Sequence, residues 1–101
     1  MYPHRDLTEE IISAAIEVHR ELGSAYKESV YQIALAHEFN LRKIPFEREK
    51  AISVTYKGIV AGTHKLDFLV DDKVVVELKV VQHLYRNIPR PSLRYPLLLI
   101  Y

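Results

Sequence analysis

The stretch Leu66-Asp67-Phe68-Leu69-Val70, followed by Val74-Val75-Val76-Glu77-Leu78-Lys79-Val80, decides the fold of this 101-residue chain. In both segments every even-numbered position is apolar. Because the side chains of a strand alternate between its two faces, this pattern predicts two β-strands that each have one apolar face. The other face carries Asp67 on one strand, and Glu77 with Lys79 on the next.

The connection Asp71-Asp72-Lys73 predicts that the two strands form an antiparallel hairpin. A three-residue loop pairs apolar residues with apolar residues and sets Asp67 opposite Glu77. The expected apolar pairs are Val70 with Val74, Phe68 with Val76, and Leu66 with Leu78. A two-residue loop would pair Asp67 with Val76. Since a slip of one residue sends every side chain to the wrong face, burial should select the first register.

Two carboxylates that face each other across a sheet are destabilising and need a reason. One reason is a bound cation, because hard ions such as Mg²⁺ take carboxylate oxygens. Lys79 follows two residues after Glu77 and could meet a phosphate. The alternative is that one carboxylate points into water, or that Lys79 or Lys65 neutralises the pair. From the residues alone, both interpretations stay open.

Composition limits the functional classes. The length predicts a single domain, residues 1–101, and the net charge of +1 gives no global signature of polyanion binding. The chain has no cysteine, which excludes disulfides and cysteine-based metal sites. The N-terminus does not resemble a signal peptide and the aliphatic runs are too short to span a membrane, so we expect a cytoplasmic protein with no membrane partner.

The remaining sequence predicts two N-terminal helices and further strands. Asp6 with Glu9 marks the start of the first helix and Gly23 its end, and the second helix is expected from Lys27 or Glu28 to residue 43. Alternating patterns predict strands in the second half of residues 46–56 and at residues 59–70, with a turn at Lys57-Gly58. Residues 74–81, rich in valine, should form a central strand. We expect an α/β (α+β) domain in which the helices pack on a mixed sheet of three or more strands.

Four segments keep a fixed order along the chain: Glu17-Val18-His19-Arg20-Glu21-Leu22-Gly23, Glu28-Ser29-Val30-Tyr31, Asp67, and Val76-Glu77-Leu78-Lys79. Together they closely resemble the small bacterial GxxExxY proteins, which are placed in the PD-(D/E)XK nuclease-like superfamily. The resemblance is strongest over residues 6–81 and implies a restriction-endonuclease-like core. One departure is that Ala25 stands at the position of the glycine for which the family is named.

The resemblance implies roles for individual residues. Asp67 and Glu77 would be metal ligands for Mg²⁺ or Mn²⁺, with the Leu78 carbonyl as a third. Lys79 would hold the attacking water or stabilise charge on the phosphate, so that Asp67, Glu77 and Lys79 form the catalytic set. Glu28 would be an additional carboxylate on a helix. Without the family, Glu28 is explained as a favourable first-turn residue, and Lys79 as a lysine that extends from the sheet into water.

The C-terminal segment, residues 82–101, departs from the family pattern. Prolines at Pro89, Pro91 and Pro96 exclude a regular helix after Ile88, where the family continues with one. Its three arginines, Arg86, Arg90 and Arg94, are candidate nucleic-acid contacts. We interpret this Pro- and Arg-containing tail as a truncated or frame-altered version of the domain. The third strand would then lose its helical cover, which would weaken catalysis and expose a sheet surface for homo-oligomerisation.

Two functional classes follow from these observations. The first is a metal-dependent nuclease-like enzyme that hydrolyses nucleic-acid phosphodiester bonds, with activity impaired by the atypical C-terminus. The second is a non-catalytic module that binds nucleic acid or protein on a degenerate nuclease fold. The carboxylates and Lys79 favour the first class, and the altered tail favours the second.

Overall fold

The computed structural model describes residues 5–24, 26–83 and 93–100. Its elements are the helices α1 (Arg5–Leu22) and α2 (Glu28–Leu41) and the strands β1 (Phe46–Tyr56), β2 (Ile59–Val70), β3 (Val74–His83) and β4 (Leu93–Ile100). The two helices pack on the sheet, which confirms the expected α+β class. Among the described residues, no helix combines the length and apolarity needed to cross a bilayer.

The helix boundaries follow the signals in the sequence. Gly23 adopts a positive φ of 75° directly after α1, and its N–H donates to the His19 carbonyl at 2.8 Å. This is the left-handed C-terminal motif that glycine forms without strain. α2 begins at Glu28, as predicted, and ends at Leu41, two residues before the predicted end.

The four strands follow one another in space in the order β1-β2-β3-β4. Each neighbouring pair is antiparallel, so the described sheet is antiparallel throughout. The prediction of a mixed sheet is therefore wrong for the described strands. The reason is that short turns at residues 57–58 and 71–73 join β1 to β2 and β2 to β3, and a connection this short reverses the chain. β3 lies between β2 and β4, which confirms its central position.

The core lies between the helices and one face of the sheet. α1 contributes a buried stripe at helical spacing, and α2 contributes a second one. Phe68 is fully buried, and its ring packs against Phe39 and Phe46 with centroid distances of 5.4 and 5.7 Å. The sheet residues that reach the core are the even-numbered ones predicted from the alternation: Leu66, Phe68, Val70, Val74, Val76 and Leu78.

The sheet has two parts that matter for the site. The sheet body comprises residues 46–50, 66–70 and 74–78, and the helices cover one of its faces. The ribbon comprises residues 51–65, the outer halves of β1 and β2, whose pairing runs from Ala51–Lys65 to Tyr56–Ile59. The ribbon ends in the predicted turn, where Lys57 and Gly58 both have positive φ, as a type I′ hairpin requires. A bulge at Val54/Thr55 leaves Ala61, beside Gly62, without a partner in the β1–β2 ladder.

Candidate active site at the end of the β2–β3 ladder

The ladder between β2 and β3 is short, and its end defines the candidate site. Its pairs are Val70 with Val74, Leu69 with Val75, and Phe68 with Val76, which confirms the predicted register. The next expected pairs, Asp67 with Glu77 and Leu66 with Leu78, are not part of the described ladder. Asp67 and Glu77 are therefore the first residues beyond the last pair, at the point where the two strands separate.

The Asp67 carboxylate takes the place of the missing ladder bond. Its Oδ2 accepts the main-chain N–H of Leu78 at 2.7 Å. A buried N–H without an acceptor lowers the stability of the fold by about 1–3 kcal/mol. This hydrogen bond therefore fixes the position of the Asp67 carboxylate relative to β3. The bond explains why an acidic residue is stable within residues 66–70, which are otherwise apolar.

A second set of contacts holds the other oxygen of Asp67. Gln32 of α2 donates its Nε2 to Asp67 Oδ1 at 3.3 Å, and the Gln32 Oε1 accepts from Arg48 Nη2 at 3.5 Å. These bonds connect β1, α2 and β2. They fix the orientation of the Asp67 side chain without neutralising it directly.

Glu77 is held by the ribbon. Its side chain is 12% exposed, and its Oε1 lies 3.0 Å from Nε2 of His64, which is itself 55% exposed. Its second oxygen, Oε2, makes no hydrogen bond to the described residues. Glu77 therefore keeps one carboxylate oxygen open to a further partner.

Lys79 and Glu28 have no side-chain partner among the described residues. Lys79 is exposed on β3. It shares a strand face with Glu77 because the two lie two positions apart. Glu28 is the exposed first residue of α2, one helical turn before Gln32 and on the same helix face. Since Gln32 contacts Asp67, this face of α2 is directed towards the site.

The connection before Glu28 is anchored by Tyr31. The Tyr31 ring is buried, and its hydroxyl donates to the Gly23 carbonyl at 2.6 Å and accepts the Tyr26 N–H at 3.3 Å. Tyr31 therefore belongs to the hydrophobic core. Its hydroxyl also ties the α1–α2 connection to the first turn of α2, where Glu28 lies.

The arginines of the tail cannot be assigned in the same way. Arg86 and Arg90 lie outside the described residues. The main chain of Arg94 pairs with Gln82 in the β3–β4 ladder. Their proposed contact with nucleic acid stays a prediction.

Sequence reasoning missed Gln32 and His64. Gln32 carried a weak signal, since it lies one turn after Glu28 on the same helix face. His64 carried none, because its contact with Glu77 lies outside the β2–β3 ladder that the alternation predicts. Neither residue belongs to the quoted motifs.

The donor set is suited to a hard divalent cation. Asp67 and Glu77 supply carboxylate oxygens, which Mg²⁺ and Mn²⁺ prefer. Within residues 5–24, 26–83 and 93–100, no group of three or more His, Asp or Glu side chains is arranged to hold a metal ion. Mg²⁺ does not require such a group, because it commonly keeps several waters and binds through one or two carboxylates together with a substrate phosphate.

Comparison with known proteins places the chain in a family. A family model described as the PD-(D/E)XK nuclease superfamily matches residues 5–95. No curated protein and no solved structure gives a significant match. The match spans both helices, the strand with Asp67 and the strand with Glu77 and Lys79. The chain therefore belongs to the PD-(D/E)XK nuclease superfamily.

Proposed function

We propose that this chain is a GxxExxY-type, bacterial, cytoplasmic member of the superfamily that hydrolyses phosphodiester bonds of nucleic acid with Mg²⁺ or Mn²⁺. One observation supports the proposal: Asp67 and Glu77 directly follow the last pair of the β2–β3 ladder, Asp67 bonds the main chain beside Glu77, and the unpaired Lys79 lies two positions further on. The spacing of Glu28 and Tyr31 supports the GxxExxY assignment.

The roles of the residues follow from their chemistry. Asp67 and Glu77 would hold the ion, with the Leu78 carbonyl and Glu28 as further oxygen donors. When bound, a divalent ion polarises the phosphate and lowers the pKa of a water molecule. Lys79 supplies a mobile positive charge that offsets the charge developing on the phosphate oxygens. Gln32 and His64 orient the two carboxylates before substrate binds.

The segment after β3 affects the rate of cleavage that we expect. Catalysis requires the reacting groups to be held within about 0.5 Å by a packed surrounding layer. The described chain supports β3 at its far edge with β4, which pairs from Val76–Ile100 to His83–Leu93. The helix expected after β3 in the family is replaced by a proline-containing segment. We therefore propose slow turnover by a correctly assembled carboxylate pair.

A cleavage assay tests the proposal. Purified protein is incubated with single- and double-stranded DNA and RNA in Mg²⁺, Mn²⁺ or EDTA. We expect metal-dependent cleavage that falls about 100- to 1,000-fold in Glu77→Gln and in Lys79→Ala, since each removes one electrostatic contact to the reacting groups. Glu21→Gln and Lys73→Ala remove exposed charges of the same kind away from the site and should leave the rate unchanged. Turnover that persists in Glu77→Gln would refute the assignment.

A second candidate function is a non-catalytic binding module. The observation that favours it is that both site carboxylates already have partners within the chain: Asp67 bonds Leu78 and Gln32, and Glu77 bonds His64. Titration with Mn²⁺, followed by electron paramagnetic resonance, separates the two functions. Mn²⁺ binding that Asp67→Asn abolishes supports the enzyme. Nucleic-acid binding without Mn²⁺ binding or turnover supports the module.

A further inference from the structure

The ribbon extends beyond the layer of helices. Every residue from 51 to 65 is exposed, although both strands are fully formed and paired. With a rise of about 3.3 Å per residue, its paired part reaches roughly 20 Å from the sheet body. Within the described chain, neither face of the ribbon is covered.

The ribbon is positively charged. Between Lys50 and Leu66 the sequence contains three lysines and one histidine and no acidic residue, although the chain has 13 acidic residues elsewhere. Lys50 is paired with Glu47 at 2.7 Å, which offsets its charge. Lys57 and Lys65 have no carboxylate partner among the described residues, and the Lys57 ammonium lies 5.2 Å from the centre of the Tyr56 ring. Two unneutralised ammonium groups are thus spaced along the arm.

The charge indicates the occupant of this surface. A second copy of the chain would bring like-charged lysines together, which opposes pairing of two ribbons. Phosphate groups, in contrast, are attracted to lysines that lack a partner. The side chains of Val54, Ile59 and Val60 are exposed and apolar. They can contact sugars and thymine methyl groups, and these contacts bury no polar group that lacks a partner.

The width of the ribbon favours one form of nucleic acid. The major groove of B-form DNA is about 12 Å wide and admits a two-stranded β-ribbon. The major groove of A-form RNA is deep and narrow, and side chains cannot read it. A paired two-stranded arm therefore fits duplex DNA better than duplex RNA.

The root of the ribbon touches the candidate site. His64, one residue before the ribbon ends at Lys65, lies 3.0 Å from Glu77. A duplex held along the ribbon would present its backbone to the separated ends of β2 and β3. We propose that the ribbon binds the major groove of duplex DNA and directs a phosphodiester to the Asp67–Glu77 pair. This inference rests on the proposed function, because it identifies the substrate of the same site.

A binding experiment in EDTA tests the inference apart from cleavage. The affinity of a short fluorescent DNA duplex is measured by anisotropy over a range of salt concentrations. The double variant Lys57→Gln/Lys65→Gln should lose about tenfold or more in affinity, and its salt slope should fall by about 1.8, since each phosphate contact contributes about 0.9. The matched double variant Lys43→Gln/Lys73→Gln removes two lysines outside the ribbon and should bind like the wild type. Duplex RNA of the same sequence should bind more weakly than DNA.

The outcomes distinguish the inference from the proposed function. If the wild type cleaves DNA and both double variants bind it equally well, the inference is wrong and the proposed function stands. Equal affinity for duplex RNA would also overturn the groove assignment. A dimer seen by light scattering that becomes tighter in Lys57→Gln/Lys65→Gln would identify the ribbon as a surface between two copies and overturn the inference. If the wild type neither binds nor cleaves nucleic acid with either metal, the proposed function fails and the inference with it. Circular dichroism confirms that each variant is folded.

Discussion

The strand β2 runs without interruption through two regions with opposite environments. In the sheet body, Phe68 and Val70 are fully buried, and Leu69 between them is half-buried. In the ribbon, Ile59 and Val60 are 63% and 67% exposed, and no residue is buried. Both regions are paired with β1. Strand formation therefore depends on pairing, whereas burial depends on whether a helix lies above the strand.

The comparison has a consequence for stability. The apolar side chains that drive folding belong to the two helices and the sheet body. The ribbon contributes hydrogen bonds that water can replace, so it should open locally at a lower free energy than the body. Substitutions in the two regions should therefore differ widely in their effects.

The largest expected difference is between two aromatic residues. Phe68→Ala removes the centre of the aromatic cluster and should lower the free energy of unfolding by about 3–5 kcal/mol. Tyr56→Ala, in the ribbon, should change it by less than about 0.5 kcal/mol, because its ring is 60% exposed. Urea denaturation followed by circular dichroism measures both.

Should Phe68→Ala not fold, Phe68→Leu supplies a milder test. We expect it to cost between about 0.5 and 3 kcal/mol, still above the effect of Tyr56→Ala. A ribbon substitution as costly as the core substitution would show that the ribbon is part of the cooperative unit. The distinction between the two regions would then be lost.

The next largest effect lies at the border of the two regions. Asp67→Ala leaves the Leu78 N–H without its acceptor and should lower the free energy of unfolding by about 1–3 kcal/mol. Asp67→Asn keeps an acceptor oxygen and should retain most of this stability while losing the charge needed for a cation. Urea denaturation and Mn²⁺ titration of both variants check this. Equal stability of Asp67→Ala and the wild type would contradict the structural role of the carboxylate.

The smallest expected effect is at the tip of the ribbon. Lys57 has a positive φ of 48° next to Gly58, and asparagine is favoured at this position of a type I′ turn. Lys57→Asn should stabilise the ribbon by a few tenths of a kcal/mol. Amide hydrogen exchange should slow in residues 51–65 only, with no shift of the global unfolding midpoint. A shift of the midpoint would show that the ribbon unfolds in the same transition as the sheet body.

The sequence predicted the parts of the molecule that depend on local alternation. The buried faces of β2 and β3, their register and the neighbourhood of Asp67 and Glu77 follow from the positions of apolar residues and the length of one loop. It did not predict the exposure of the ribbon, because alternation in Ile52, Val54 and Tyr56 is the same whether or not a helix covers it. Nor did it predict the contact of Gln32 with Asp67, which joins residues 35 positions apart.

The early end of the β2–β3 ladder also leaves an open strand edge. From Ile59 to Leu66, β2 is paired with β1 on one side, and its other side has no strand partner in the described chain. An unpaired edge of this length is a template on which another chain can add a strand and begin aggregation. The bulge at Ala61 disrupts the regular spacing of that edge, and Lys65 places a charge beside it. A charge on a strand edge opposes the addition of another strand, so we expect a variant that lacks Lys65 to aggregate more readily.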